Sequence, residues 1–368
     1  MRNFSFRDFD WVLLSFVLLI CSLGVLEIYS STFGTKFAAT SGTPLYIKQV
    51  YWIIGGVVLM FIVSLLNYQL LLENAHWFYV AAVLSLLAVA VFGKKYLGAR
   101  RWIQFPGGFH FQPSEWVKLV LILAMAKYFS DENERLTSVL DVMKAGMIVG
   151  VPMLLVLKQP DMGTALTYVP LAVMALFLGG IQLRHTLILV VIAGVLAPAI
   201  WHYGLKPYQK DRLTTFLHPE ADSQKSGYQL EQSKIAVGHG GIWGRGIRGG
   251  SQTQGAFLPE PHTDFIFAAW SEEHGFVGAV ALLLLYFLVL MRLVHNAQTA
   301  PDRAGGFVVM GVVAVLLFHI LVNAGMVVGY MPVTGIPLPL MSYGGSSLLF
   351  MFLALGIIMN VRMRRFVN

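Results

Sequence analysis

The chain has 368 residues, of which 57% are hydrophobic and 12% charged, against about 45–50% and about 25% in an ordinary soluble domain. That deficit of charge excludes a soluble globular enzyme, and the same composition excludes disorder, whose signature is low hydrophobicity with high net charge. The formal charge is +7, and the single cysteine, Cys21, lies in an apolar run where a small buried side chain is expected.

Apolar runs bounded by charge and by Gly or Pro predict ten membrane helices, near 11–30, 49–66, 76–92, 115–130, 141–157, 164–181, 185–203, 265–293, 305–330 and 343–361. The expected fold is an all-α polytopic membrane protein: one membrane domain over residues 1–368 with a large extracytoplasmic loop at 204–263. The first run follows Arg2 and Arg7 but is long enough to cross a bilayer and has no A-x-A site after it, so it reads as a retained helix. The fourth opens with Glu115 and Lys118, which leaves it a short apolar part. Ten spans place both termini on one side, and Arg2, Arg7, Arg362, Arg364 and Arg365 assign that side to the cytoplasm.

The 204–263 loop carries Lys206, Lys210, Arg212, Lys225, Lys234, Arg245 and Arg248, but long loops are exempt from the positive-inside rule. A short external connection disobeys it with Lys94, Lys95, Arg100 and Arg101. Either these pairs merely solvate the loop, or they serve an anionic ligand on the outer face. No internal repeat is visible, which weakens an inverted-repeat transporter reading.

A loop of this length is uncommon unless functional or disordered. Within it, seven of the thirteen residues from Gly238 to Gly250 are glycine. Gly244, Gly246 and Gly249 match G-x-G-x-x-G, but no βαβ unit fits between two spans and no G-K-[ST] follows, so nucleotide-binding readings fall. A flexible backbone bearing Arg245 and Arg248 remains, suited to approaching a phosphate. Asp264 follows, one residue before an apolar helix and beside Glu260 and His262. An acid there serves either as an N-terminal cap or as a general base at the membrane surface. Glu272 and Glu273 lie deeper in the same helix and are expected to face the interior. Glu272 is about 12 Å from Asp264 along the axis, too far for the close dyad of a retaining glycosidase, so any glycosyl chemistry here would invert with a single base.

Glu115 and Lys118 share a helix face and either neutralise each other or belong to a site. Asp161 after Pro160 reads as helix-start chemistry. The uncharged, proline-rich stretch 331–347 predicts a rigid loop dipping into the interface, with Ser342 and Tyr343 capping the last span. Ten histidines show no metal spacing.

The motifs GARRWI (98–103), FQPSEWVK (111–118), KQPDMGT (158–164), GYQLEQSKIAVGHGG (227–241), FLPEPHTDFIFA (257–268) and GIPLPLMSYGGSS (335–347) resemble the SEDS family of bacterial shape, elongation, division and sporulation proteins from the first span to the last. The short tails, and GIPLP in place of GLTLP or GITLP, are similar to the elongation branch. The resemblance implies a ten-helix peptidoglycan glycosyltransferase that polymerises lipid II on the outer face of the cytoplasmic membrane, beside a class B penicillin-binding protein. It assigns the essential carboxylate of H-T-D-F to Asp264. The supporting positions are Glu115 and Lys118 of the Q-P-S-E segment, Asp161 of Q-P-D, Arg101 of G-A-x-R-W, Arg212 of Y-Q-x-x-R-L and Lys234 of Q-S-K-I-A. Charge on the lipid diphosphate would be met by Arg101, Arg212, Lys234 and Arg245, or by a divalent cation, Mg or Mn. Expected partners are lipid II, its polyprenyl-diphosphate-linked glycan, membrane lipids and the penicillin-binding protein, with no nucleic acid. The competing readings are a lipid II flippase and a non-catalytic scaffold.

Overall fold

The computed structural model of the chain describes residues 8–35, 42–96, 99–104, 110–131, 139–217 and 226–365. Arg2, Arg7 and Lys225 lie outside the described residues. In chain order, α1 (Trp11–Thr32), α2 (Leu45–Leu65), α3 (Tyr68–Glu73) and α4 (Ala75–Phe92) lead into three short strands, β1 (Lys94–Tyr96), β2 (Ala99–Gln104) and β3 (His110–Phe111). Next come α5 (Pro113–Asp131), α6 (Val139–Lys158), α7 (Met162–Leu166), α8 (Val169–Leu178) and α9 (Leu183–Ala199), the last prolonged by a π turn to Gly204. Then α10 (Pro207–Leu217), α11 (Ser226–Gly240) and α12 (Ser251–Gln254) precede α13 (Ile266–Gln298), α14 (Arg303–Val328) and α15 (Gly345–Met363).

Among the described residues eight helices are long and apolar enough to cross a bilayer: α1, α2, α4, α6, α9, α13, α14 and α15. The other two predicted spans fall on elements of a different kind. The 115–130 run is α5, which carries Glu115, Lys118, Lys127 and Asp131. It is interior, packing on α4 and α14 with Val117, Leu121, Ile122, Ala126 and the whole of Lys118 buried. The 164–181 run is split into α7 and α8, of five and ten residues. Pro170, in the first turn of α8, has no N–H with which to continue the preceding turn.

The all-α expectation is corrected by the antiparallel sheet β1-β2-β3, in which Lys94 faces Trp102 and Ile103 faces Phe111. Strand pairing satisfies the backbone where the chain leaves α4, and alternation along β2 sends Arg101 to the face opposite Trp102. By contrast, α9 has only 6% of its apolar window buried. A helix so exposed and so apolar is solvated by lipid rather than by water.

The long helix α13 is not continuous. Gly275 has φ 66° and ψ −165°, a conformation that is essentially glycine-only, and it divides the helix into two segments. Each new terminus leaves backbone groups without intrahelical partners, and the residues after α11 supply them. Phe276 and Val277 donate to the carbonyls of Gly241 and Ile242 at 2.8 and 3.1 Å, while Arg245 and Gly246 donate to the carbonyls of Glu272 and Glu273 at 3.0 and 2.9 Å. A Cβ on Gly240 or Gly244 would collide with the carbonyls of Ser271 or Glu273, so these glycines permit backbone to lie on backbone. The glycine-rich stretch is therefore a helix-break filler, not a free phosphate loop.

Roughly 25–30 Å from the break by helix rise, the far end of α13 is fixed by the buried Asp10, the N-cap of α1. It accepts hydrogen bonds from Arg292 Nε, Asn296 Nδ2 and Arg362 Nη1 at 2.9, 2.9 and 2.8 Å, and from the Leu13 amide. Burial opposes its charge, but the bonds from Arg292, Asn296 and Leu13, with the charge of Arg362, outweigh burial and hold the carboxyl below the ordinary range.

A side chain at the break has no room. Gly275→Ala is expected to cost at least about 1–3 kcal/mol from backbone strain alone, read as a lowered melting temperature in detergent micelles; an unchanged value would contradict the described break.

Candidate active site

Asp264 lies immediately before α13, at the bundle end opposite Asp10. The helix begins at Phe265 without any side-chain cap bond. No group among the described residues hydrogen-bonds the Asp264 carboxylate, so the capping alternative fails. Its position is set through the backbone: Asn323 on α14 donates from Nδ2 to the Asp264 carbonyl and to the Ile336 carbonyl, both at 2.8 Å. The adjoining residues are tied to the proline-rich loop by Ser342 Oγ, which donates to the Thr263 carbonyl at 2.7 Å, and by the Tyr343 amide, which donates to the His262 carbonyl at 2.8 Å. This corrects the expectation for Ser342 and Tyr343. The last span, α15, starts at Gly344 with no side-chain cap, and these two residues instead hold the Asp264 segment. Gly335, with φ 72°, brings that loop so close that a Cβ there would stand 3.1 Å from Asp264 Oδ2.

Burial and the Glu260 charge raise the Asp264 carboxyl, Arg212 and Arg101 lower it, and Asp161 raises it again; it comes to about 6. His262, 3.7 Å from Glu260, is pushed down to about 4 by burial and is neutral at pH 7.

Arg101 and Arg212 are held from opposite sides. Arg101, on β2, donates to the Pro160 carbonyl and stands 3.6 Å from Asp161. Asp161 caps α7 as its motif predicts, accepting from the Thr164 amide at 3.3 Å, and it also takes bonds from Thr164 Oγ1 and Gln112 Nε2, each at 2.9 Å. Arg212, on α10, donates to the Thr334 carbonyl at 3.0 Å. Four of the sequence-predicted residues, Asp264, Arg101, Arg212 and Asp161, thus share one electrostatic neighbourhood.

The others have different surroundings. Lys234, on α11, reaches the C-terminus of α14, where its Nζ lies 2.6 Å from the place a Cβ on Gly329 would take. A cation complements the helix dipole there. Arg245 belongs to the α13 break; it is exposed, and its Nε donates to the His239 carbonyl at 2.7 Å. Lys118 binds Glu115 at 2.9 Å and His319 Nε2 at 3.3 Å inside the bundle. His319 Nδ1 faces the Val315 carbonyl at 2.7 Å and must carry the proton, which leaves Nε2 to accept from the ammonium. Glu272 faces inward and is satisfied by the Gln252 and Thr253 amides at the start of α12. The positioning residues Asn323 and Gln112 were missed by sequence reasoning, and Ser342 was given a different role; Gln112 and Ser342 lie inside the quoted motifs, whereas Asn323 lies in none.

Beyond Asp264 an apolar cavity of about 740 Å³ runs between α11, α13 and α14, lined by residues that include Phe267, Gly275, Ile320 and Tyr330.

The fold defines a polytopic helical membrane protein, and the site an arginine-lined polar recess at one end of its bundle. The sequence profile of the FtsW/RodA/SpoVE family, described as cell cycle proteins, matches residues 10–366, and the chain belongs to that family. It is 34% identical to the peptidoglycan glycosyltransferase RodA of Treponema pallidum, over 99% of this chain and 100% of the relative. It is 37% identical to the peptidoglycan glycosyltransferase MrdB of Escherichia coli K12, over 86% and 85%. Among solved structures, a chain of a peptidoglycan synthase complex that coordinates polymerization and crosslinking superposes with TM-score 0.84 at 32% identity, covering 98% of this chain and 99% of that one. The rod shape determining protein RodA of Thermus thermophilus superposes with TM-score 0.72 at 30% identity, covering 98% of each. With these relatives, the chain is a glycosyltransferase.

Asn323→Ala leaves two carbonyls beside the site without their donor. It is expected to cost about 1–3 kcal/mol per orphaned buried group at most and to lower the melting temperature; full retention of wild-type stability would show that this bridge does not hold the Asp264 segment.

Proposed function

We propose that this chain polymerises lipid II into β-1,4 glycan strands on the outer face of the cytoplasmic membrane during cell elongation, with Asp264 as general base. The observation that carries the reading is a carboxylate with no hydrogen-bond partner among the described residues, raised to about 6 by burial and Glu260 and set in the field of Arg212 and Arg101. A base poised near neutrality combines the right protonation state with useful proton affinity. Asp264 takes the proton of the acceptor sugar's 4-hydroxyl as that oxygen bonds to the donor's anomeric carbon. The bond from that carbon to the diphosphate breaks, and the diphosphate leaves with the electron pair. One displacement turns the α-linked donor into a β-linked product.

Arg101 and Arg212 compensate the charge that grows on the leaving diphosphate. A Mg or Mn ion at this place would take most of its ligands from diphosphate and water. Among the described residues, the three-donor group is Glu27, Glu273 and His274, and Glu273 is about 13 Å along α13 from Asp264. The apolar cavity suits a polyprenyl chain entering from lipid. Ten crossings, with α5 and the α7–α8 pair as the interior two, put both termini in the cytoplasm and residues 204–263 outside. The named relatives and the synthase-complex neighbour support a class B penicillin-binding protein as the crosslinking partner.

Purified protein with that partner and lipid II is expected to give glycan strands on a gel, and Asp264→Ala none. Polymer from Asp264→Ala would remove the base assignment, and none from wild type would favour the flippase or scaffold reading. The pH profile gives a second check. Ionised Asp264 is the active form, so the rate should rise with pH through an acid limb near 6. Glu260→Gln, which removes a repelling charge, should move that limb to lower pH, and Arg212→Gln should move it to higher pH; the opposite order would contradict the electrostatics.

A further inference from the structure

A second polar cluster lies apart from Asp264, and the proposed chemistry makes no use of it. Glu27 on α1 and Glu273 on α13 are 0% and 1% exposed, at matching depth: each is about five to eight residues in from the helix end nearest the site. Among the described residues, neither oxygen of Glu27 has a hydrogen-bond partner, and Oε2 of Glu273 has none either. One oxygen from each glutamate and one ring nitrogen of the half-buried His274 all lie within 4.8 Å of one another. A buried carboxylate left bare beside one that is only half satisfied is costly in a membrane interior, and such groups are ordinarily paired or ligating.

Neighbouring charges do not complete the set. Glu272 adds a third carboxylate, but the α12 amides already satisfy it. The Arg248 guanidinium lies over the Phe33 ring at 4.7 Å, and no described cation forms a salt bridge with Glu27 or Glu273. The second layer of contacts is that of a ligand site. Glu273 Oε1 is held by Ser30 Oγ at 2.5 Å and by the Arg248 amide at 3.1 Å, which fixes the carboxylate and leaves Oε2 without a partner among the described residues. His274 Nδ1 faces the Trp270 carbonyl at 3.3 Å and must donate to it, so Nε2 carries a free lone pair. Metal-bound histidines are oriented in the same manner.

We propose that Glu27, Glu273 and His274 bind one divalent transition-metal cation. Two carboxylates neutralise its charge, and the mixed oxygen and imidazole donors suit Zn or Mn. Ligand distances of about 2.0–2.2 Å set the donors about 3–4 Å apart, so small side-chain rotations close the group. The ion cross-links α1 to the break in α13, and through the Arg248 amide it braces the glycine-rich filler. Its place is structural and separate from transfer at Asp264.

The full chain in lipid nanodiscs, loaded separately with Zn and with Mn and cleared of unbound metal, tests this by elemental analysis and melting. Wild type and Asp264→Ala are expected to keep about one equivalent of one of these ions, and Glu27→Met and His274→Gln to lose it. A chelator should lower the melting temperature of wild type and leave that of Glu27→Met unchanged. Glu27→Met exchanges the buried charge for an apolar side chain of similar length, so its fold survives loss of the ligand. Equal metal in wild type and both variants overturns the proposal. No metal in wild type, with no effect of the chelator, also overturns it and leaves the two carboxyls sharing a proton.

Discussion

The break in α13 at Gly275 orders much of what surrounds it. An interrupted helix inside a bilayer exposes amides and carbonyls that lipid cannot satisfy, so the break exists only because the segment after α11 places its own backbone there. Four hydrogen bonds between residues 241–246 and 272–277 do this, and the glycines give the approach. Once the filler is seated, other contacts follow. Glu272 turns to receive the α12 amides, and Glu273 turns toward Ser30 of α1. Asp264 stands at the head of that first segment, and the apolar cavity opens along the break, with Gly275 in its wall.

The recess around Asp264 is an electrostatic compromise. Two arginines beside a carboxylate would ordinarily hold it well below its usual range, as the cluster around Asp10 does at the other end of the bundle. Here each guanidinium is partly committed elsewhere: Arg101 to Pro160 and Asp161, Arg212 to the Thr334 carbonyl. Neither closes on Asp264, so burial and Glu260 prevail. The arginines stay oriented by backbone carbonyls and keep charge to offer an anion. The loop that supplies Thr334 also supplies Gly335 and Ser342, so one proline-stiffened segment sets an arginine, the clearance above the carboxylate and the register of residues 262–264.

Legibility from sequence followed the range of the interactions. Long apolar runs predicted ten membrane helices, eight of which fall on helices long and apolar enough to cross a bilayer, and Asp264, Arg101, Arg212 and Asp161 were found through motifs that carry their own flanking context. Asp161 could even be assigned as a helix start, because capping spans three residues. The 115–130 run was expected as a span, yet α5 is a charged interior helix whose Lys118 is paired with Glu115 and hydrogen-bonded to His319, 201 residues away. The glycine-rich segment was misread for a related reason. Its glycines answer to a helix break 30 residues on, and an isolated Gly275 in an apolar run gives no sign of positive φ. Glu27 passed as an ordinary residue of the first span, since its neighbours Glu273 and His274 come from the other end of the chain.

The two ends of the bundle show why unpaired charge carries functional meaning in this molecule. At the Asp10 end several strong groups close on one another: Arg292, Arg362 and Asn296 converge on one carboxylate, Tyr68 binds Asp302 at 2.6 Å, and Asn360 links the Tyr68 amide to the Ser64 carbonyl. Networks so fully satisfied fix geometry and leave nothing to react. At the other end the same residue types are left open, with Asp264 unbonded between two arginines and Glu27 bare beside Glu273. Folding does not favour either arrangement in isolation, because each forgoes hydrogen bonds that a small rearrangement could make. Both persist because the backbone around them is over-determined, by Asn323 and Ser342 in one case and by the α13 break in the other. Local rules of polar satisfaction fail where a protein keeps groups ready for something outside its own chain, and among the described residues the carboxylates of Asp264 and Glu27 are such groups.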